Sequence, residues 1–111
     1  MKIELRTNER LIKESGANLQ RGIETVGGRL FLTDQRLFFD THSFNVKSGS
    51  EEIALSDISY VIPIWTKFLG VIPLFPNSLR VSTKQGKFFD FVVNGRSAWK
   101  SAIELQASIR V

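Results

Sequence analysis

The sequence predicts a mainly β domain: six to eight short antiparallel strands followed by one C-terminal helix. Three observations carry this. Short segments of alternating apolar and polar residues recur along most of the chain, with turn residues between them. The chain holds nine Phe, and aromatic side chains suit a pleated, half-buried surface. From Arg96 onward the apolar period changes from two to that of a helix.

The 111 residues suit a single domain, 1–111, built on one core. At 42% hydrophobic and 23% charged residues, the composition is that of a globular protein. With no Cys, a disulfide scaffold, a thiolate metal site and a Cys nucleophile are excluded. The formal charge of +4 comes from 15 basic and 11 acidic side chains. The bases are scattered singly rather than clustered, so no nucleic-acid face is expected. The opening residues, MKIELRTNERLIKE, lack the apolar region of a secretory signal. No segment approaches the ~20 apolar residues that span a bilayer. The chain reads as cytoplasmic, at most peripheral to the inner membrane face.

The elements follow in order. Glu9 to Leu19 has β character, broken by Ser15-Gly16. Leu30–Thr33 and Arg36–Asp40 flank Asp34-Gln35 and read as a hairpin. Thr41 to Ser50 is rich in Ser, Asn and Gly and reads as a loop. Glu52–Leu55 is a short strand, Ser56-Asp57 interrupts it, and Ile58 to Trp65 resumes extended structure. Pro63 removes a backbone donor from that run, which implies an edge or a bulge. In Ser78–Lys84, Leu79, Val81 and Thr83 alternate with polar residues, giving a strand with one wet face. Gln85-Gly86 supplies a two-residue turn. Lys87–Val93 returns, with Phe89, Phe91 and Val93 on one face and Phe88, Asp90 and Val92 on the other.

The helix places Ala98, Trp99, Ala102, Ile103, Gln106 and Ile109 on one stripe, with Leu105 widening it. Asn94 or Ser97 is the expected N-cap. Strands this short hide their edges by curling into a barrel. The helix, with Trp99 and Ile103 inward, then plugs the open mouth.

These residues resemble a known family. Gly28 through Phe39, GRLFLTDQRLFF, is similar to the glycine, strand and "L-T-x-x-R-L-x-F" segment of GRAM domains, relatives of the pleckstrin-homology superfold. Ile53 to Ile58 is like the family's "I-x-L-x-D-I", and Phe75 to Leu79 is like its "F-P-N-x-L". Phe91-Val92-Val93, Arg96 and Trp99 are like its ending, and Glu9 and Asn18 sit where the pattern has Glu and Asn. The chain looks most like the small bacterial single-domain members, and the likeness spans about Glu9 to Ile103. It implies a seven-stranded, sharply bent β-barrel capped by a C-terminal helix. It also implies a non-enzymatic binding module, associated in eukaryotic members with intracellular membranes or phosphoinositides. Relatives that grip inositol phosphates gather Lys and Arg around the first hairpin. Here the corresponding connection, taken as Glu14 to Gly27, offers only Arg21, with Arg29 just beyond, and a phosphate cage needs convergent donors.

No cofactor or metal is expected. His42 is the only His; Asp40 shares its strand face, but no nucleophile elbow accompanies them. Zinc spacings such as HExxH are absent. Gly27-Gly28 precedes a strand, not the helix that anion cradles use. Arg80, Lys84 and Lys87 could gather at one end of a hairpin, though a solvated strand face accounts for them as well.

The most informative stretch is WTKFLGVIPLFP, Trp65 to Pro76. It lies between two strands and so reads as a connection, yet connections are normally polar. Trp65, Phe68, Leu69, Val71, Ile72 and Phe75 are apolar there, and Lys67 is the one charge. Three readings fit: the stretch folds back into the core, its tip enters a bilayer surface, or it packs on a protein, including a second copy in a homo-oligomer. Full burial of each large apolar side chain contributes roughly 1.5–3 kcal/mol, enough for reversible docking. Lys67 would sit at headgroup level or at the rim of an interface.

Overall fold

The computed structural model describes residues 3–41, 50–68 and 72–108, and for 67, 68 and 72–74 the backbone alone. Seven strands and one helix follow in order: β1 Leu11–Arg21, β2 Glu24–Thr33, β3 Arg36–Thr41, β4 Glu51–Ala54, β5 Ile58–Phe68, β6 Ile72–Thr83, β7 Phe88–Val93 and α1 Arg96–Ala107. A 3-10 turn, Leu55–Asp57, joins β4 to β5. All pairings are antiparallel, in the order β4-β3-β2-β1-β7-β6-β5.

Pairing of the first strand with the last, from Ala17↔Val93 to Gln20↔Asp90, curls the sheet into a half-barrel. β4 and β5 are its two edges. α1 packs against β5, β6, β7 and the 3-10 turn. Its Trp99 and Ile103 are fully buried, as the helical period predicts. The core they join includes Leu30, Leu32, Phe39, Leu79 and Phe91, with the Phe39 and Phe91 rings 5.8 Å apart. Ile109 and residues 42–49, most of the expected Thr41–Ser50 loop, lie outside the described residues.

Several boundaries differ from expectation. Ser15-Gly16 does not break β1: Ser15 pairs with Leu30 and Gly16 with Arg29. The ladder needs only backbone groups, and small residues on an open face cost it little. β2 therefore starts at Glu24, and the expected connection from Glu14 to Gly27 is almost entirely strand. The turn is only Gly22-Ile23, closed by Arg21↔Glu24, with Gly22 at φ +60°. Gly is the residue that takes that conformation without steric cost. The β6–β7 connection is longer than expected, Lys84 to Lys87, closed by the Thr83 amide donating to the Lys87 carbonyl at 2.8 Å. Neither Asn94 nor Ser97 caps the helix. Gly95 does, in the left-handed region at φ 67°, with no side-chain hydrogen bond.

Gly28 answers to a steric demand. A Cβ there would lie 2.1 Å from the Asp40 carbonyl oxygen and 2.6 Å from the Phe39 ring. Only a residue without a side chain lets β2 and β3 approach this closely.

Candidate functional site

β7 pairs with β6 only from Ser78 to Ser82. β5 pairs with β6 further, as far as Phe68↔Ile72. Past Ser78 the β5–β6 hairpin therefore leaves the sheet as a two-stranded arm. This corrects the reading of Trp65–Pro76 as a connection: most of it is strand. Pro73 and Pro76 sit where β6 has no β7 neighbour, so missing amide hydrogens are tolerated there. Pro63 lies on the edge strand β5, as expected, and the register shifts just after it, between Ile64 and Thr66.

A two-stranded ribbon is marginally stable by itself, and this one is tied at its root. Ile64 faces Ser78 and Thr66 faces Phe75, so Pro76 and Asn77 occupy a bulge. The Thr66 side chain bonds the Asn77 side chain and the Ser78 hydroxyl. From the first residue of α1, the Arg96 guanidinium donates to the Ile64 carbonyl at 2.7 Å and reaches the Ser78 carbonyl at 3.4 Å. A charge-assisted donor is a strong tie, and it fixes the arm to the helix.

Beside these polar ties, Trp65 is 51% and Phe75 58% exposed. Lys67, Phe68 and Ile72 continue the strand pairing, Lys67 opposite Pro73 and Phe68 opposite Ile72. Leu69 and Val71 lie outside the described residues.

The basic residues do not converge. Arg80 is held by Asp90 through two bonds of 2.8 and 2.9 Å, which keeps its pKa above the ordinary value. It also stacks 4.1 Å from the Phe88 ring. Lys84 and Lys87 are exposed in the β6–β7 turn, apart from it. Around the first hairpin, Arg21 pairs with Glu51 at 3.2 Å and Arg29 with Glu14 at 2.8 Å. Asp40 accepts a bond from the Ser50 hydroxyl, and His42 lies outside the described residues. Among the described residues, no group of three His, Asp or Glu side chains could hold a metal.

A buried polar network was not foreseen. Arg36 donates to both Glu9 carboxylate oxygens, at 2.8 and 3.1 Å, and to Glu52 at 2.9 Å. The Thr33 hydroxyl adds a bond to Glu9 at 2.6 Å. The Arg36 guanidinium is the main reason that the Glu9 pKa is lowered to about 2. Both Glu9 oxygens and all three Arg36 nitrogens have a partner, so the network holds the chain start against β3 rather than offering a ligand site.

A curled seven-stranded antiparallel sheet with one C-terminal helix defines the pleckstrin-homology-like class. Solved structures of this class superpose closely. The C-terminal domain of an unknown protein from Leishmania infantum matches at 19% identity and TM-score 0.74, over 92% of this chain and 87% of that one. The Vps36 N-terminal PH domain matches at 22% identity and TM-score 0.69, over 95% and 83%. The Slm1-PH domain in complex with phosphoserine matches at 18% identity and TM-score 0.63, over 88% and 96%. By sequence, no curated protein matches. The GRAM domain family matches residues 1–106, and the chain belongs to that family. GRAM and PH-like domains are binding modules, typically without catalysis. No helix among the described residues is long and apolar enough to cross a membrane.

Proposed function

We propose that this GRAM domain is a non-enzymatic adaptor that docks through the β5–β6 arm on an apolar surface of a protein partner. The supporting observation is the exposure of Trp65 and Phe75 on a hairpin that has left the sheet and is stiffened at its root. Covering them contributes a few kcal/mol by area, and aromatic side chains make good interface anchors. Phe68, Leu69, Val71 and Ile72 supply the rest of the contact, with Lys67 at its rim. In this reading the protein is of the small bacterial single-domain kind. It works in the cytoplasm, at most peripheral to the inner membrane face. The test is a photo-crosslinking residue at position 75, used in cells of the source organism. A discrete adduct, lost in Trp65→Ser, is expected; no adduct, or one indifferent to that substitution, overturns the reading.

A second reading, binding of a lipid headgroup, is favoured by the other end of β6. The register sets Gln20 opposite Asp90, so the Gly22-Ile23 turn lies at the end of the sheet that carries the Lys84–Lys87 turn. Ile23, Lys84 and Lys87 are all exposed. The Slm1-PH domain was solved with phosphoserine bound, which lends support to a phosphate ligand. Against it, Arg21 and Arg29 are engaged by Glu51 and Glu14. Sedimentation with phosphoinositide-containing and zwitterionic vesicles tests it. Selective pelleting lost in Lys84→Glu/Lys87→Glu supports the reading, and no pelleting with either vesicle removes it.

A further inference from the structure

We infer that the outer face of β5, β6 and β7 is a self-association surface that pairs with the same face of a second copy. It uses residues of the sheet rather than the arm, so it stands apart from the adaptor reading.

The strand register lays the face out in rows. One row crosses Tyr60, Ser82 and Phe88. The next crosses Ile62, Arg80, Asp90 and Gln20. Tyr60, Ile62 and Phe88 are 47%, 39% and 57% exposed. Such side chains side by side on one sheet face are more than the scattered surface residues any protein shows.

Charge decides what covers them. The protein carries +4 overall, yet these two rows hold one cation and one anion, and those bind each other bidentately. A face of zero net charge has no attraction for an anionic bilayer. Few charges, exposed aromatics and an Arg are instead the composition of a protein interface core.

The arrangement is also complementary to itself. Arg80 and Asp90 are cross-strand neighbours on β6 and β7. A two-fold axis along the strands, midway between β6 and β7, sets Arg80 of each copy over Asp90 of the other. Four alternating charges then close a ring in which no charge loses its original partner. The same operation seats Phe88 of each copy between Tyr60 and Phe88 of the other. Closed two-fold pairing of one patch with itself is the commonest symmetry of oligomers.

Sedimentation equilibrium of the whole chain tests the inference. Over about a hundredfold range of concentration, wide enough to cross a micromolar dissociation constant, the mass should rise from one chain to two. Ile62→Lys, which leaves the Arg80–Asp90 pair intact, should hold the protein at one chain mass with an unchanged unfolding midpoint. Arg80→Asp alone and Asp90→Arg alone should each remain monomeric, and an equimolar mixture should recover the two-chain mass. A wild type that stays monomeric throughout overturns the inference. So does a dimer indifferent to all three substitutions. A mixture that fails to recover the dimer overturns the placement of Arg80 over Asp90. A monomer whose pelleting with neutral vesicles is lost in Ile62→Lys assigns the face to a membrane instead.

Discussion

Arg36 and Glu9, 27 residues apart in sequence, meet through bonds of 2.8 and 3.1 Å with both side chains buried. Removing one member of such a pair strands the other without water, at a typical cost of about 3–5 kcal/mol. Glu9→Gln is expected to lose an amount of that order in urea unfolding at neutral pH. The same pair makes stability depend on acid. The folded pKa of Glu9 is about 2 against an ordinary 4.5, so the folded state prefers the carboxylate. Its contribution is complete above pH 4.5 and is lost as the pH falls toward 2. Glu52 is lowered too, first by its bond from Arg6, and adds in the same direction. A urea midpoint at pH 3 equal to that at pH 7 would contradict this.

Two glycines on neighbouring strands should answer differently to the same substitution. Gly28→Ala drives a methyl group into the Asp40 carbonyl and the Phe39 ring. Overpacking of this kind costs about 1–3 kcal/mol or more, and backbone cannot yield as a side-chain tip does. Gly16→Ala meets nothing within 4 Å and should change stability by less than about 0.5 kcal/mol. Chemical denaturation of the two variants side by side gives the comparison.

The two Trp residues divide between surface and core. Trp99 is fully buried at the centre of the helix contact, so Trp99→Ala should cost about 3–5 kcal/mol. Trp65→Ser/Phe75→Ser touches exposed arm positions and should leave the unfolding midpoint nearly unchanged. A large loss in the double variant would mean that the arm is held to the body through these rings.

Ser82 buries its hydroxyl oxygen with no hydrogen-bond partner among the described residues. An unsatisfied buried polar group costs about 1–3 kcal/mol. Ser82→Ala is therefore expected to stabilise the protein by about 1 kcal/mol, read from the denaturation midpoint. A clear loss of stability would show that the hydroxyl is satisfied in solution.

Much of the fold was legible because local chemistry agreed with it. Asp34-Gln35 sits between two apolar strand-like runs, and the strand face carrying Leu79 and Val81 is the buried one. Trp99 and Ile103 fall on one helical stripe for the same reason. The misreadings have physical causes. Ser15-Gly16 looks like a stop because strand breaks are inferred from side chains, whereas a ladder is made by the backbone. Gly95 takes the cap by its left-handed dihedral, which no side-chain pattern announces. Trp65–Pro76 reads as a connection because it lies between two strands, and only the register shows that β5 and β6 go on pairing after β6 has lost β7 as a neighbour. Of the candidate site, the apolar character of Trp65 and Phe75 could be read directly, while their place on a projecting arm could not. Alternation puts Phe88 and Asp90 on one face of their strand. Their meeting with Arg80, Tyr60 and Ile62 required the strand order.

Pro63 gives the half-barrel's long open margin a blunt spot. An incoming strand looks for a continuous row of amide hydrogens and carbonyls, and at this point one hydrogen does not exist. Fibre-like growth from that margin is thereby discouraged. Copies of this protein can crowd together in a cell with less tendency to zip edge to edge.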